Sequence, residues 1–100
     1  MEPANSDIIV SDVVVSRAGR DQGEWFYVID ADDTYLLLVN GKDRPLDKPK
    51  RKKRKHAQKV LRSETRVAAK LRSGDKVLNG ELRRDLASLS RSMQASDLGG

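Results

Sequence analysis

Hydrophobic positions form short runs in the first half of the chain and a helical stripe in the second. Ile8-Ile9-Val10 and Val13-Val14-Val15 are β-branched runs split by Ser11-Asp12, and they predict an extended lead-in followed by a strand. Trp25-Phe26-Tyr27-Val28-Ile29 predicts a second strand and holds three of the four aromatic residues. Tyr35-Leu36-Leu37-Leu38-Val39 predicts a third. Arg17 to Glu24, with Gly19 and Gly23, reads as a loop, and Asp30-Ala31-Asp32-Asp33 as a turn. Asn40-Gly41 is a strong hairpin signal that predicts a type I′ turn. Asp43-Arg44-Pro45-Leu46 would then begin a short fourth strand, with Pro45 at an edge or an end. Closely spaced short strands joined by tight turns predict a small antiparallel β-barrel or curled sheet over residues 8–59.

Beyond the strands the period changes. Ser63 is placed to cap a helix with Glu64 in its first turn, and Val67, Ala68 and Leu71 share one face. Ser73-Gly74-Asp75 ends that helix, and Asn79 is placed to cap another whose first turn holds Glu81. Leu78, Leu82, Leu86 and Leu89 form one apolar stripe. The stripe suits packing against the sheet; the alternative is a docking face for a protein partner. The fold class expected is mainly β with C-terminal α, one or two short helices forming an extension over residues 60–91. Residues 1–7 and 92–100 are polar and are expected to be loose tails.

One hundred residues leave room for one domain. No apolar run approaches the ~20 residues of a membrane span, and the first residues lack the pattern of a signal peptide. With no cysteine, disulfides, thiolate metal sites and cysteine nucleophiles are excluded. A single histidine, His56, excludes multi-histidine metal sites. A small cytoplasmic protein is expected.

Charge changes the picture most. From Lys42 to Arg62 there are eleven Lys/Arg against two Asp, giving +9 in a chain whose total is +5. The rest of the chain is therefore net acidic. The densest part is Lys48-Pro49-Lys50-Arg51-Lys52-Lys53-Arg54-Lys55-His56, expected to resist compaction and to behave as a flexible arm. Such a run suits a polyanion, because release of condensed counterions drives the association. An anionic membrane surface fits less well, since no apolar anchor adjoins the run.

Enzyme chemistry finds little support. The Asp30, Asp32, Asp33 cluster lacks the further ligands, the glycine and the terminal Glu of a calcium loop. Gly19 and Gly23 do not have phosphate-loop spacing. His56 has no carboxylate beside it to orient it as a base. No enzymatic activity and no cofactor are expected. In the two-glycine loop, Arg17 and Arg20 flank Gly19 and suit phosphate contacts. Trp25 and Tyr27 suit either barrel-wall packing or stacking on unpaired bases.

The segment Val13 to Ile29 resembles a KOW motif, a strand, a glycine-bearing loop and a second strand. The similarity continues through Asn40-Gly41-Lys42, Arg44-Pro45-Leu46, the Lys48–Lys53 run and Lys55-His56. Together these resemble bacterial KOW-domain RNA-binding proteins, relatives of the archaeal and eukaryotic large-subunit ribosomal proteins of the L-fourteen-e type. The resemblance covers about Ile8 to Gln58. It implies an SH3-like β-barrel that binds structured RNA, in particular ribosomal RNA, on the ribosome or during its assembly. It points to Arg17, Gly19, Arg20 and Gly23 in the motif loop and to Lys48 through His56. Gln22 stands where relatives often have a basic residue. The RNA-binding set expected is thus Arg17, Gly19, Arg20, Gly23, Lys42, Arg44, Lys48, Lys50, Arg51, Lys52, Lys53, Arg54, Lys55, His56, Lys59 and Arg62. The alternative function is a protein-interaction module of the transcription or translation machinery, using Leu78, Leu82, Leu86 and Leu89.

Overall fold

In the computed structural model, residues 7–99 are described, with side chains through residue 93. The expected tail at residues 1–6 lies outside the described residues. Five strands form one antiparallel sheet in the order β4-β3-β2-β1-β5. They are β1 (Asp12–Ser16), β2 (Trp25–Ala31), β3 (Tyr35–Val39), β4 (Lys50–Lys53) and β5 (Ala57–Arg62). A single 3₁₀ turn, Arg54–His56, joins β4 to β5. Two helices follow, α1 (Arg66–Ser73) and α2 (Asn79–Gly99). The class is mainly β with C-terminal α. Among the described residues no ladder joins the outer strands β4 and β5, so the sheet is curled but not closed.

The first three strands arise where the β-branched and aromatic runs place them. Both faces of the sheet are covered, which is why these runs lack strict alternation. Ile8, Val14, Phe26, Val28, Leu36, Leu38 and Ala57 fill one side. Val13, Tyr27 and Val39 face the other side and pack with Val67, Ala68, Val77, Leu82 and Leu86. Register shifts in the β1–β5 ladder at Val13/Val14 and in the β2–β3 ladder between Val28 and Asp30 mark the bends. The lead-in is anchored by Asp12, whose buried carboxylate accepts from the Ile9 N–H at 2.9 Å and from Arg62 Nε at 3.0 Å. Asp7, expected in a loose tail, is paired with Lys59 at 2.5 Å.

The helices are part of the same core. Leu82 and Leu86 are buried, Leu89 is partly buried against them, and Leu78 stays 56% exposed. The stripe therefore serves mainly as packing. Nor is there a boundary at 59/60, which falls inside β5. A hydroxyl–carboxylate network ties the layers together. Tyr27 on β2 donates its phenolic hydrogen to Asp85 on α2, and Thr65 Oγ1 donates to the same carboxylate at 2.9 Å. Ser63 Oγ lies 2.8 Å from the Tyr27 hydroxyl. The helix cap is Thr65, which accepts from the Ala68 N–H, and not Ser63; Ser63 is turned into this network instead. Glu64 consequently precedes α1, whose first turn has no acidic residue. Gly74 ends α1 in the left-handed region, φ 78°. Glu81 accepts from the Leu78 N–H at 2.9 Å and pairs with Lys70 of α1 at 2.8 Å. The side chain of Asn79 does not cap α2; it accepts from the Leu46 N–H at 2.8 Å.

That contact explains the connection between β3 and β4. No two-residue hairpin forms, and no strand forms at Asp43–Leu46. Asn40 Oδ1 instead accepts from the N–H groups of Lys42 and Arg44, both at 2.9 Å, building a loop over residues 40–49. Gly41 has φ 78°, and a Cβ there would lie 2.2 Å from the Asn79 carbonyl oxygen. At the other end, α2 continues helical through Gly99 rather than giving way to the expected tail. Residues such as Met93, Gln94 and Ala95 favour a helix, and no proline interrupts it.

Three expectations follow. Leu82→Ala, at a fully buried position, is expected to cost about 2–5 kcal/mol. Urea unfolding should show the helical circular-dichroism signal and the Trp25 fluorescence changing together, because sheet and helices share one core; separate transitions would refute that. Burial, and then the Asp85 carboxylate, push the Tyr27 phenol up to about 12. Its folded value lies above the unfolded one, so its share of stability is complete below about pH 10 and is lost as the pH rises toward 12. Absorbance titration should resolve one of the two tyrosines ionising late, and Tyr27→Phe should abolish that phase.

Candidate nucleic-acid interface

The basic run is built into the sheet. Lys50-Arg51-Lys52-Lys53 forms β4, an edge strand paired with β3 through Leu38↔Lys50, Leu37↔Arg51, Leu36↔Lys52 and Tyr35↔Lys53. This corrects the expectation of a flexible arm. Strand pairing accommodates the run because alternate side chains point to opposite faces, and lysine-rich edges also resist further strand pairing.

Alternation divides the cations into two sets. Lys50 and Lys52 point toward the β1–β2 loop, where Asp21 meets both. Lys52 is 7% exposed, and its Nζ donates to Asp21 Oδ1 (2.9 Å), Ser16 Oγ (2.9 Å) and the Ala18 carbonyl (2.8 Å). Lys50 Nζ lies 2.6 Å from Asp21 Oδ2. Burial alone would raise the Asp21 pKa, but hydrogen bonds from Lys50, Ser16 and Lys52 outweigh it and hold the carboxyl well below the usual carboxylate range. Lys52, expected to contact RNA, is thus enclosed by the protein and cannot reach a phosphate.

Other expected contacts are also engaged internally. Lys59 and Arg62 on β5 pair with Asp7 and Asp12. Arg54 donates to the carbonyls of Asp32 (2.6 Å) and Ile8 (3.0 Å). Arg17, Arg20, Lys42, Arg44, Lys48, Arg51, Lys53 and Lys55 are exposed, and none is in an ion pair among the described residues. Arg51 lies over the Tyr35 ring, 3.7 Å from its centroid, which holds the guanidinium against the sheet.

The fold brings three segments of the expected set together. Arg20 of the β1–β2 loop, Arg44 of the β3–β4 loop and Lys50 of β4 line one recess, together with Asp21, Glu24 and Asp43. Arg17 is beside the 3₁₀ turn, its N–H donating to the His56 carbonyl at 2.8 Å. Gly19 and Gly23 both have positive φ, 87° and 92°, and Gly23 donates back to the Ser16 carbonyl at 2.9 Å, so they shape the loop that presents Arg17 and Arg20. The three-aspartate turn serves its own backbone, since Asp32 Oδ1 accepts from the N–H groups of Thr34 and Tyr35.

Sequence reasoning passed over Asp21, the residue that organises this end of the molecule. The signal available was an acidic residue in a loop otherwise bearing Arg17 and Arg20, in a chain with a dense cation run elsewhere. Among the described residues no helix is long and apolar enough to cross a membrane. No family model and no curated protein sequence matches the chain.

Asp21→Ala would leave the Lys52 ammonium buried without its carboxylate, and a loss of about 3–5 kcal/mol is expected. Asp21→Ala/Lys52→Met should recover most of it in denaturant titrations; no recovery would show that the charge pair is not the cause. The lowered carboxyl pKa sets the sign with pH. Stability from Asp21 is present above about pH 4 and is lost as the pH falls below it, so the acid limb of the stability profile should flatten in the double variant.

Proposed function

We propose that this protein is an RNA-binding protein of the KOW kind, with an SH3-like β-barrel, that binds ribosomal RNA on the ribosome or during its assembly. One observation carries the reading: exposed cations outside any ion pair among the described residues are presented by the edge strand β4 with its 3₁₀ turn, by the β3–β4 loop that leads into it, and by the β1–β2 loop that Asp21 ties to it. Arg17 and Arg20 come from the β1–β2 loop, Arg44 from the β3–β4 loop, and Arg51, Lys53 and Lys55 from β4 and its 3₁₀ turn. The strand order β4-β3-β2-β1-β5, with a 3₁₀ turn before the last strand, supports the SH3-like reading.

The physical mechanism is backbone recognition. Each cation that meets a phosphate releases condensed counterions, and this supplies affinity without reading sequence. Folded RNA presents phosphates at fixed positions in space, and cations held on a strand edge can match them without first becoming ordered. Arg51 is held against Tyr35 and Lys53 stands on the same face, so two phosphate contacts come pre-positioned. Arg17 and Arg20 supply a contact at the loop end and fix orientation.

The test uses Arg51→Glu/Lys53→Glu/Lys55→Glu, all exposed positions. Binding to a ribosomal RNA fragment should weaken at least about tenfold at moderate salt, and the slope of log affinity against log salt should fall by about 2–3. Unchanged affinity and slope would remove this edge from the interface. In a sucrose gradient the unaltered protein should co-sediment with a ribosomal subunit or its precursor at low salt. Sedimentation only at the top of the gradient would overturn the ribosomal assignment.

A further inference from the structure

Beside the basic edge, the start of β2 and the outer side of α2 border an open groove of about 420 Å³. That is within the roughly 300–1,000 Å³ range of small-ligand sites. Its apolar wall is half-buried Trp25 with Leu86 and Ala87, and its rim is Lys42, Arg83 and Arg84. Trp25 packs against the helix-facing core, so the indole is held in place. Arg83 Nη1 donates to the Gly41 carbonyl at 3.2 Å, which keeps that guanidinium beside the β3–β4 loop.

The rim is positive and uncompensated. Lys42, Arg83 and Arg84 are exposed, and none is in an ion pair among the described residues. The acids on this part of α2 are used elsewhere, Asp85 by Tyr27 and Thr65, and Glu81 by Lys70. An indole wall suits a flat ring, and the cations suit phosphate. A nucleotide supplies both in one unit, and base-on-aromatic stacking tolerates any base. Lys42 opens onto this groove while Arg44, two positions on in the same loop, opens onto the recess shared with Arg20 and Lys50. A nucleic-acid backbone crossing that loop passes from one to the other.

We infer that this groove receives an unpaired nucleotide of the bound RNA, its base on Trp25 and its phosphate on Arg83, Arg84 and Lys42. The inference rests on the RNA-binding reading above and deepens it. The RNA would offer a single-stranded loop, bulge or end next to the backbone gripped by β4.

Trp25 is the only tryptophan, so indole emission reports this groove alone. The experiment titrates the full chain with a labelled oligoadenylate and with a blunt RNA duplex having the same number of phosphates, following label anisotropy and Trp25 emission together. The oligoadenylate should quench Trp25 with the same midpoint as the anisotropy change, and the duplex should bind without quenching. Trp25→Leu should weaken oligoadenylate binding about tenfold or more and leave duplex binding little changed. Arg83→Glu/Arg84→Glu, at exposed positions, keeps the test valid if Trp25→Leu fails to fold, and it should reduce both affinity and quenching. RNA binding with unchanged Trp25 emission, and with unaltered affinity in the arginine variant, would overturn the groove while leaving the basic edge standing. Equally tight saturation by adenosine monophosphate alone would assign the groove to a free nucleotide and overturn the inference. No anisotropy change with either RNA would overturn both readings.

Discussion

Lys52 puts an ammonium group on the same face of the sheet as Leu36, its partner across the ladder, at a position almost closed to water. Removing a charge from water costs several kcal/mol after relaxation, and Asp21, Ser16 and the Ala18 carbonyl supply the compensation. Much follows from that contact. It joins the β1–β2 loop to the far edge strand, closing one end of the curl through side chains. It also distinguishes the register of β4. A strand reading Lys-Arg-Lys-Lys has no apolar residue by which burial could choose its inward face. A shift by one residue would turn Arg51 and Lys53 inward and carry Lys50 and Lys52 away from Asp21.

The same contact sorts the charge. A run that looks uniform as a string of letters is split by strand geometry into a structural half and an outward half. Lys50 and Lys52 are spent on Asp21, as Lys59 and Arg62 are on Asp7 and Asp12. Arg51, Lys53 and Lys55 keep their charge toward solvent. The net charge of +5 therefore understates the field along the edge and overstates how many individual cations can touch a ligand.

Elements that depend on burying apolar surface were legible in the sequence. β1, β2 and β3 lie where β-branched and aromatic residues cluster, Gly74 ends α1, and Leu82 and Leu86 face the core. What escaped depends on partners distant in the chain. β4 has no hydrophobic signature and exists through its ladder with β3 and its salt bridge to Asp21. Leu46 forms no strand because its N–H is taken by Asn79, thirty-three positions away. Ser63 lost the capping role to Thr65 because the Tyr27 hydroxyl, thirty-six positions back, draws it into another network. At the candidate interface the loop arginines were visible from composition. Which lysines stay free was not, since that depends on which carboxylate each one meets in three dimensions.

The dependence of the sheet on α2 has a consequence for how the protein comes into being. Val13, Tyr27 and Val39 are covered by Val67, Ala68, Leu82 and Leu86, all of which follow the last strand. A nascent chain emerging N-terminus first can pair β1, β2 and β3 early, but it shows solvent an uncovered apolar face until synthesis has passed Leu86. Folding to completion is therefore a late event, and during that interval the half-made sheet is the form most exposed to misassociation.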